Sequence, residues 1–162
     1  MISELASRLA SLDAALRPIA NRPVDITQPG WAERRIEPVD EAGVREPCDA
    51  LLADLLSLYA SGSDDERVQL RTLYGRHAAF AWAVSVPEPP SSEAGLRRHL
   101  LLLSLKDQGQ DARDEILQLD WLCSEGRRVG ASHAILCEVA ALSSDVDKYR
   151  MGSMRQWLLK RC

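Results

Sequence analysis

The chain has 162 residues, 46% of them hydrophobic and 27% charged, with one Phe and a formal net charge of −4. That apolar share is ordinary for a globular protein and argues against a chain disordered throughout, and a chain of this length buries roughly two thirds of its unfolded surface with no need of a metal or a disulfide. The acidic balance speaks against a broad phosphate-binding surface, hence against nucleic acid as partner, and suits a basic protein better.

Leucine and alanine dominate the apolar set while β-branched residues are scattered, which favours helices over strands. Ile2, Leu5, Leu9, Leu12 and Leu16 repeat as 3-4-3-4 and predict an amphipathic helix over 1–17 that ends before Pro18. It is expected to dock on the domain, with pairing through the seam as the alternative, so the chain reads as a monomer or a homodimer. Glu4 and Asp13 interrupt any continuous apolar run there, so the stretch does not read as a secretory signal, and residence is expected to be cytoplasmic.

Residues 18–46 hold Pro18, Pro23, Pro29 and Pro38 with Gly30 and Gly43, a connecting segment in which regular structure is broken repeatedly. Trp31 within it reads as a staple onto the bundle, with a contact residue as the alternative. A helical core is predicted over 47–162. Pro47 suits a first helical position, and Leu51, Leu52, Leu55, Leu56 and Tyr59 give the following helix an apolar face as far as Gly62. Ser63-Asp64-Asp65-Glu66 is a capping box, and the helix that it opens is expected to reach about Val86, before Pro87.

Ser92 and Glu93 open a helix whose leucines at 96, 100, 101, 102, 103 and 105 cover every side, the pattern of a rod buried all round. It is far too short to cross a bilayer, which takes about 20 apolar residues. Gly109 ends it, and Asp111 caps a second helix running to about Arg128 and closed by Gly130, so the two form a central antiparallel hairpin. Ala112, Ile116, Leu119 and Cys123 face the first arm, while Leu117 and Trp121 fall on the opposite side, where either a further helix covers them, the preferred reading, or they form an exposed anchor for a partner. Ser132 opens a shorter helix ending in Ser143-Ser144-Asp145-Val146-Asp147, read as a solvated loop. Ser153-Met154-Arg155-Gln156 is a second capping box before Trp157, Leu158 and Leu159. The fold class is therefore all-α, a single-domain bundle of about seven helices around a central antiparallel hairpin.

Chemistry is harder to find. Asp107, Asp111, Arg113 and Asp114 form the densest polar group, yet capping and dipole roles account for Asp111 and Asp114. His77, His99 and His133 lie on three helices, and with the nearby acids they compose the alternative reading, a helical-bundle metal-dependent enzyme, although no His-x-x-x-His or Glu-x-x-His pair places two ligands on one face. Cys48, Cys123, Cys137 and Cys162 contain no C-x-x-C and read as reduced thiols, with Cys123 and Cys137 the pair that could meet across adjacent helices. No glycine-rich phosphate loop, G-x-S-x-G or dinucleotide fingerprint occurs. No cofactor is implied.

Asp107-Gln108-Gly109-Gln110-Asp111-Ala112-Arg113-Asp114, Glu138-Val139-Ala140-Ala141-Leu142-Ser143-Ser144 and Met151-Gly152-Ser153-Met154-Arg155 resemble a pattern in small uncharacterised bacterial proteins, some of them similar to immunity proteins that neutralise secreted toxins. The resemblance covers the C-terminal part of the chain. It implies a helical, cytosolic protein that blocks a toxin with an acidic surface. The leading expectation is accordingly a non-enzymatic protein-binding protein, an immunity protein or adaptor. Its candidate contact residues are Asp107, Asp111, Arg113, Asp114, Trp121, Asp145 and Asp147; no membrane is expected as partner.

Overall fold

The computed structural model describes residues 1–21, 26–29, 43–85, 90–107, 121, 124, 133–147 and 152–162. The fold is all-α, with seven bounded helices and no strand among these residues: α1 (Ile2–Ala20), α2 (Arg45–Ser61), α3 (Asp64–Gly75), α4 (Ala78–Ala83), α5 (Glu93–Lys106), α6 (His133–Leu142) and α7 (Met154–Leu159). Trp121 and Ser124 are also helical. The remainder of the expected helix 111–128, with the turn at Gly109 and the cap at Gly130, lies outside the described residues, as do Ser132, Trp31 and most of the proline-rich segment. No described helix is long and apolar enough to cross a membrane. The chain divides into two compact units, Met1–Leu55 with Leu73–Val86, and Leu56–Thr72 with Pro87–Cys162. The division falls inside the stretch 47–162 read as one core, and α1 belongs to the first unit.

In the first unit, Leu5, Leu9 and Leu16 of the expected seam are buried. The helix does not stop before Pro18 but continues to Ala20. Pro18 forfeits one hydrogen bond in an exposed last turn, and the turn still closes through the Asn21 N–H, donated to the Arg17 carbonyl at 3.1 Å. Asp13 lies on the buried face, between Leu9 and Leu16, and is 1% exposed. Such an acid must be paired to be tolerated.

Its partner explains a second departure. The expected helix 63–86 breaks at Arg76 and His77, whose N–H groups bond only three residues back, to Leu73 and Tyr74. The new helix α4 starts behind His77, which makes no side-chain cap. Asp13 replaces that cap from α1: its Oδ1 accepts the Phe80 N–H at 3.0 Å while Arg17 Nε donates to Oδ2 at 3.0 Å. At the other end, Arg45 of α2 donates to the Ala83 carbonyl at 2.7 Å. A six-residue helix is unstable alone. Here an anion sits at its positive end and a cation at its negative end, so two neighbouring helices supply what its own sequence lacks. Arg45 also moves the start of α2 ahead of Pro47, which occupies the third helical position, where the missing N–H still costs nothing.

In the second unit, α5 matches its pattern. Leu96, Leu100, Leu101, Leu102, Leu103 and Leu105 are all buried, and Ser92 Oγ caps the helix by accepting the Gly95 N–H at 3.1 Å. The turn between α2 and α3 also follows its signature. Glu66 Oε2 takes the Ser63 N–H at 2.7 Å and Ser63 Oγ takes the Glu66 N–H at 3.3 Å. At Gly62 a Cβ would come within 2.8 Å of the Leu58 carbonyl, so the turn has no room for a side chain.

Two outcomes test this account. Leu100→Ala, at a fully buried site, is expected to cost about 2–5 kcal/mol in urea unfolding, whereas Leu159→Ala, at an exposed one, should stay within about 0.5 kcal/mol. Burial pushes the Asp13 carboxyl up, but the Phe80 N–H, the Arg17 guanidinium and His77 more than offset it and hold it below its ordinary 3.8. Because the folded value lies below the unfolded one, Asp13 stabilises fully above pH 4 and loses that contribution as pH falls through the folded value. Asp13→Ala should lower stability at neutral pH by about 1–3 kcal/mol, chiefly by orphaning the Phe80 N–H, and should flatten the stability profile below pH 4.

Candidate functional site

The loop between α6 and α7 is the best-built surface feature of the second unit. Ser143 and Ser144 are buried, which corrects their reading as solvated, and only Asp145, Val146 and Asp147 face water. Each of the three is tied down. Ser144 Oγ accepts the Val146 N–H at 3.2 Å, Asp145 Oδ1 accepts from Ser153 Oγ at 2.7 Å, and Asp147 Oδ1 accepts the Gly152 N–H at 3.0 Å. Val146 is thereby presented at 57% exposure between two carboxylates.

The sequence beyond the loop supplies this frame. Ser153 and Gln156 form the expected capping box of α7, and the Ser153 hydroxyl, having accepted the Gln156 N–H at 3.2 Å, still has its own proton to give to Asp145. Gly152 sits at φ +82, where a Cβ would meet Gln156 Oε1 at 2.8 Å. Arg155 closes the hairpin from the other side: its N–H goes to the Ser144 carbonyl at 3.2 Å, and its guanidinium to the Ala140 and Ala141 carbonyls at 3.2 and 3.4 Å. A cation on the last carbonyls of α6 is favoured by the helix dipole.

Under the loop lies a polar cluster missed by sequence reasoning. Tyr59 OH donates to the Leu142 carbonyl at 3.0 Å, meets Ser104 Oγ at 2.6 Å and accepts from Arg71 at 2.7 Å. Ser143 Oγ meets Ser104 Oγ at 3.0 Å and the Val139 carbonyl at 2.7 Å. The hydroxyls of Tyr59, Ser104 and Ser143 carry one proton each, yet four contacts compete for them. The signal was present: Ser104 interrupts a helix that is leucine on every side, and a hydroxyl buried there must find partners.

The other candidate residues do not converge. Asp107, read as a contact residue, is 2% exposed at the end of α5 and so is not on the surface. Trp121 is exposed at 38%. Asp111, Arg113 and Asp114 lie outside the described residues. His77 Nδ1 faces Asp13 at 3.6 Å, His99 Nδ1 donates to the Gly95 carbonyl and His133 Nδ1 to the Arg161 carbonyl, both at 2.8 Å. No group of three His, Cys, Asp or Glu side chains that could hold a metal ion occurs among the described residues.

The cysteines depart from expectation. Cys137 of α6 is bonded to Cys162, with Cα atoms 5.3 Å apart. The spacing in sequence concealed this, because the hairpin α6–α7 brings together residues that look scattered. Cys123 lies outside the described residues. Cys48 is buried and free, and burial pushes its thiol up to about 11, which makes it a poor nucleophile. In the first unit a groove of about 470 Å³ runs between α1 and α2, lined by Ser11, Leu12, Ala50 and Leu51. Its ionic lining residue, Arg8, is already paired with Asp54 at 2.8 Å.

No family model, no curated protein and no solved structure matches this chain.

The proton count under the loop separates two substitutions. Tyr59→Phe strands the Leu142 carbonyl and one Arg71 contact and is expected to cost about 1–3 kcal/mol, whereas Ser143→Ala removes two contacts along with the competition for protons and should cost about 1 kcal/mol or less. Denaturant unfolding of both variants measures the difference.

Proposed function

We propose that this chain binds another protein, in the manner of an immunity protein or adaptor that sequesters a basic partner, and that it does so through the α6–α7 loop. The observation that carries this reading is the presentation of Val146, a hydrophobic side chain 57% exposed in a loop whose backbone and flanking carboxylates are fixed by hydrogen bonds. A monomer gains nothing from holding a valine rigidly in water. A partner gains a contact whose ordering entropy is already spent, which is the usual route to affinity from a small patch.

The chemistry of the patch defines the partner. Asp145 and Asp147 each commit one oxygen to the frame and keep the other, with the charge, for an incoming donor. The fitting surface is an apolar socket rimmed by Lys or Arg. Exposed Trp121, in the same unit, is a second anchor of the type enriched at interfaces.

The test is retention of a basic protein from native lysate on the immobilised chain, at low and high salt, with Val146→Arg as the comparison. The expected result is a band released by salt and weakened roughly tenfold or more by Val146→Arg, while the unfolding midpoint of the variant is unchanged. Equal retention by both chains, or no specific retention, would remove the loop from the account.

A further inference from the structure

We propose that the Cys137–Cys162 disulfide is a reversible clasp on the α6–α7 hairpin, opened by a dithiol reductant, and that its state sets how firmly the Val146 loop is held. The second half of this statement rests on the reading of that loop as the docking surface; the clasp itself does not.

The bond joins a residue within α6 to the residue three positions beyond the end of α7, over a sequence separation of 25. Everything that frames Val146 therefore lies inside the ring that it closes: Ser144, Asp145, Asp147, Gly152, Ser153, Arg155 and Gln156. The two sulfurs differ in access. Cys162 is exposed and Cys137 half-buried, so an incoming thiolate reaches Cys162 first. The free thiol among the described residues, Cys48, is fully buried and takes no part.

The exchange balances without any further reagent. A thiolate of the dithiol attacks Cys162 Sγ, forming a mixed disulfide and breaking the bond to Cys137, whose sulfur leaves with the electron pair and takes up a proton. The second thiol of the reductant then displaces Cys162, which is protonated in turn. Two protein thiols and one cyclic disulfide result, a transfer of two electrons and two protons.

Opening the clasp does not release α7. Met154 and Leu158 remain buried, Arg155 still holds the end of α6, and His133 Nδ1 still donates to the Arg161 carbonyl. Arg161 also stacks on the Trp157 ring, 4.4 Å from its centre. What changes is the entropy of the opened segment. In the loop-closure account, a ring of this size shifts the local opening equilibrium by up to roughly a few hundredfold. The hairpin would thus stay folded in both states and differ in how often its loop is in the presenting form.

Mass spectrometry of a non-reducing digest, followed by amide hydrogen exchange, tests the clasp without any partner. The expected digest contains a linked pair of peptides carrying Cys137 and Cys162, separated by dithiothreitol. Exchange over 143–147 and 152–159 should then accelerate roughly tenfold or more, both in the reduced protein and in Cys162→Ser, with Leu100–Leu105 unmoved. Glutathione disulfide should restore slow exchange in the wild type and leave Cys162→Ser fast. Absence of the linked pair, or exchange indifferent to reduction, overturns the proposal. If exchange responds while Val146→Arg leaves partner retention intact, the clasp stands and the docking reading falls. If the reverse holds, the clasp falls alone.

Discussion

A helix sheathed in leucine, with Arg97 left exposed on its surface, has nowhere in its buried part to leave a polar atom unpaired, and that constraint governs the second unit. α5 buries six leucines and with them the Ser104 hydroxyl. Each leucine contributes roughly 1.5–3 kcal/mol by leaving water, so the rod is bound to be interior. The hydroxyl can follow only if partners come to it. Tyr59 arrives from the last turn of α2 and Ser143 from the residue after α6, so one serine fixes where two other helices end. Tyr59 also satisfies the final carbonyl of α6, a group every helix leaves unpaired. The loop that presents Val146 begins at that point.

The first unit solves the same problem with charge instead of hydroxyls. Asp13 occupies a buried position on a leucine seam, and its desolvation is offset by the Phe80 N–H and the Arg17 guanidinium. The arrangement works because α4 is too short to hold itself. A longer helix would not need a cap from α1, and an unpaired Asp13 would destabilise α1. The two defects cancel, and the pairing also specifies where α1 docks.

Residue periodicity made much of this legible. The leucine sheath of α5, the capping boxes at Ser63 and Ser153, and the stops at Gly62 and Ser143 follow from short-range rules, and the structure keeps them. What sequence reasoning missed has a common cause. The break at His77, the buried Asp13, the bond between Cys137 and Cys162 and the burial of Ser143 each depend on a residue more than 20 positions away. No local pattern encodes such a partner. The partial exception is Ser104, where a lone hydroxyl in a leucine run announces that a partner exists without saying which. The candidate acids fared unevenly for the same reason: Asp107 is interior, while Asp145 and Asp147 face water yet each serves the frame of its own loop.

That double service bears on what a partner could recognise. A carboxylate free on the surface is mobile, well hydrated and worth little in an ion pair, with a typical contribution of about 0–1 kcal/mol. Asp145 and Asp147 differ, because one oxygen of each is already bound to a donor from the neighbouring turn. Their remaining oxygens are therefore fixed in direction, and a basic side chain meeting them need not bear the cost of ordering both partners. Val146 is set between them by the same frame. On this reading selectivity resides less in the acidity of the chain, which any cation would sense, than in the fixed spacing of two oriented oxygens about one apolar contact. The frame that creates this spacing comes from Ser144, Gly152 and the Ser153 cap of α7, with Arg155 and Gln156 of that helix holding Ser144 and Ser153 in turn, so on the same reading residues that touch no partner set the spacing a partner would meet.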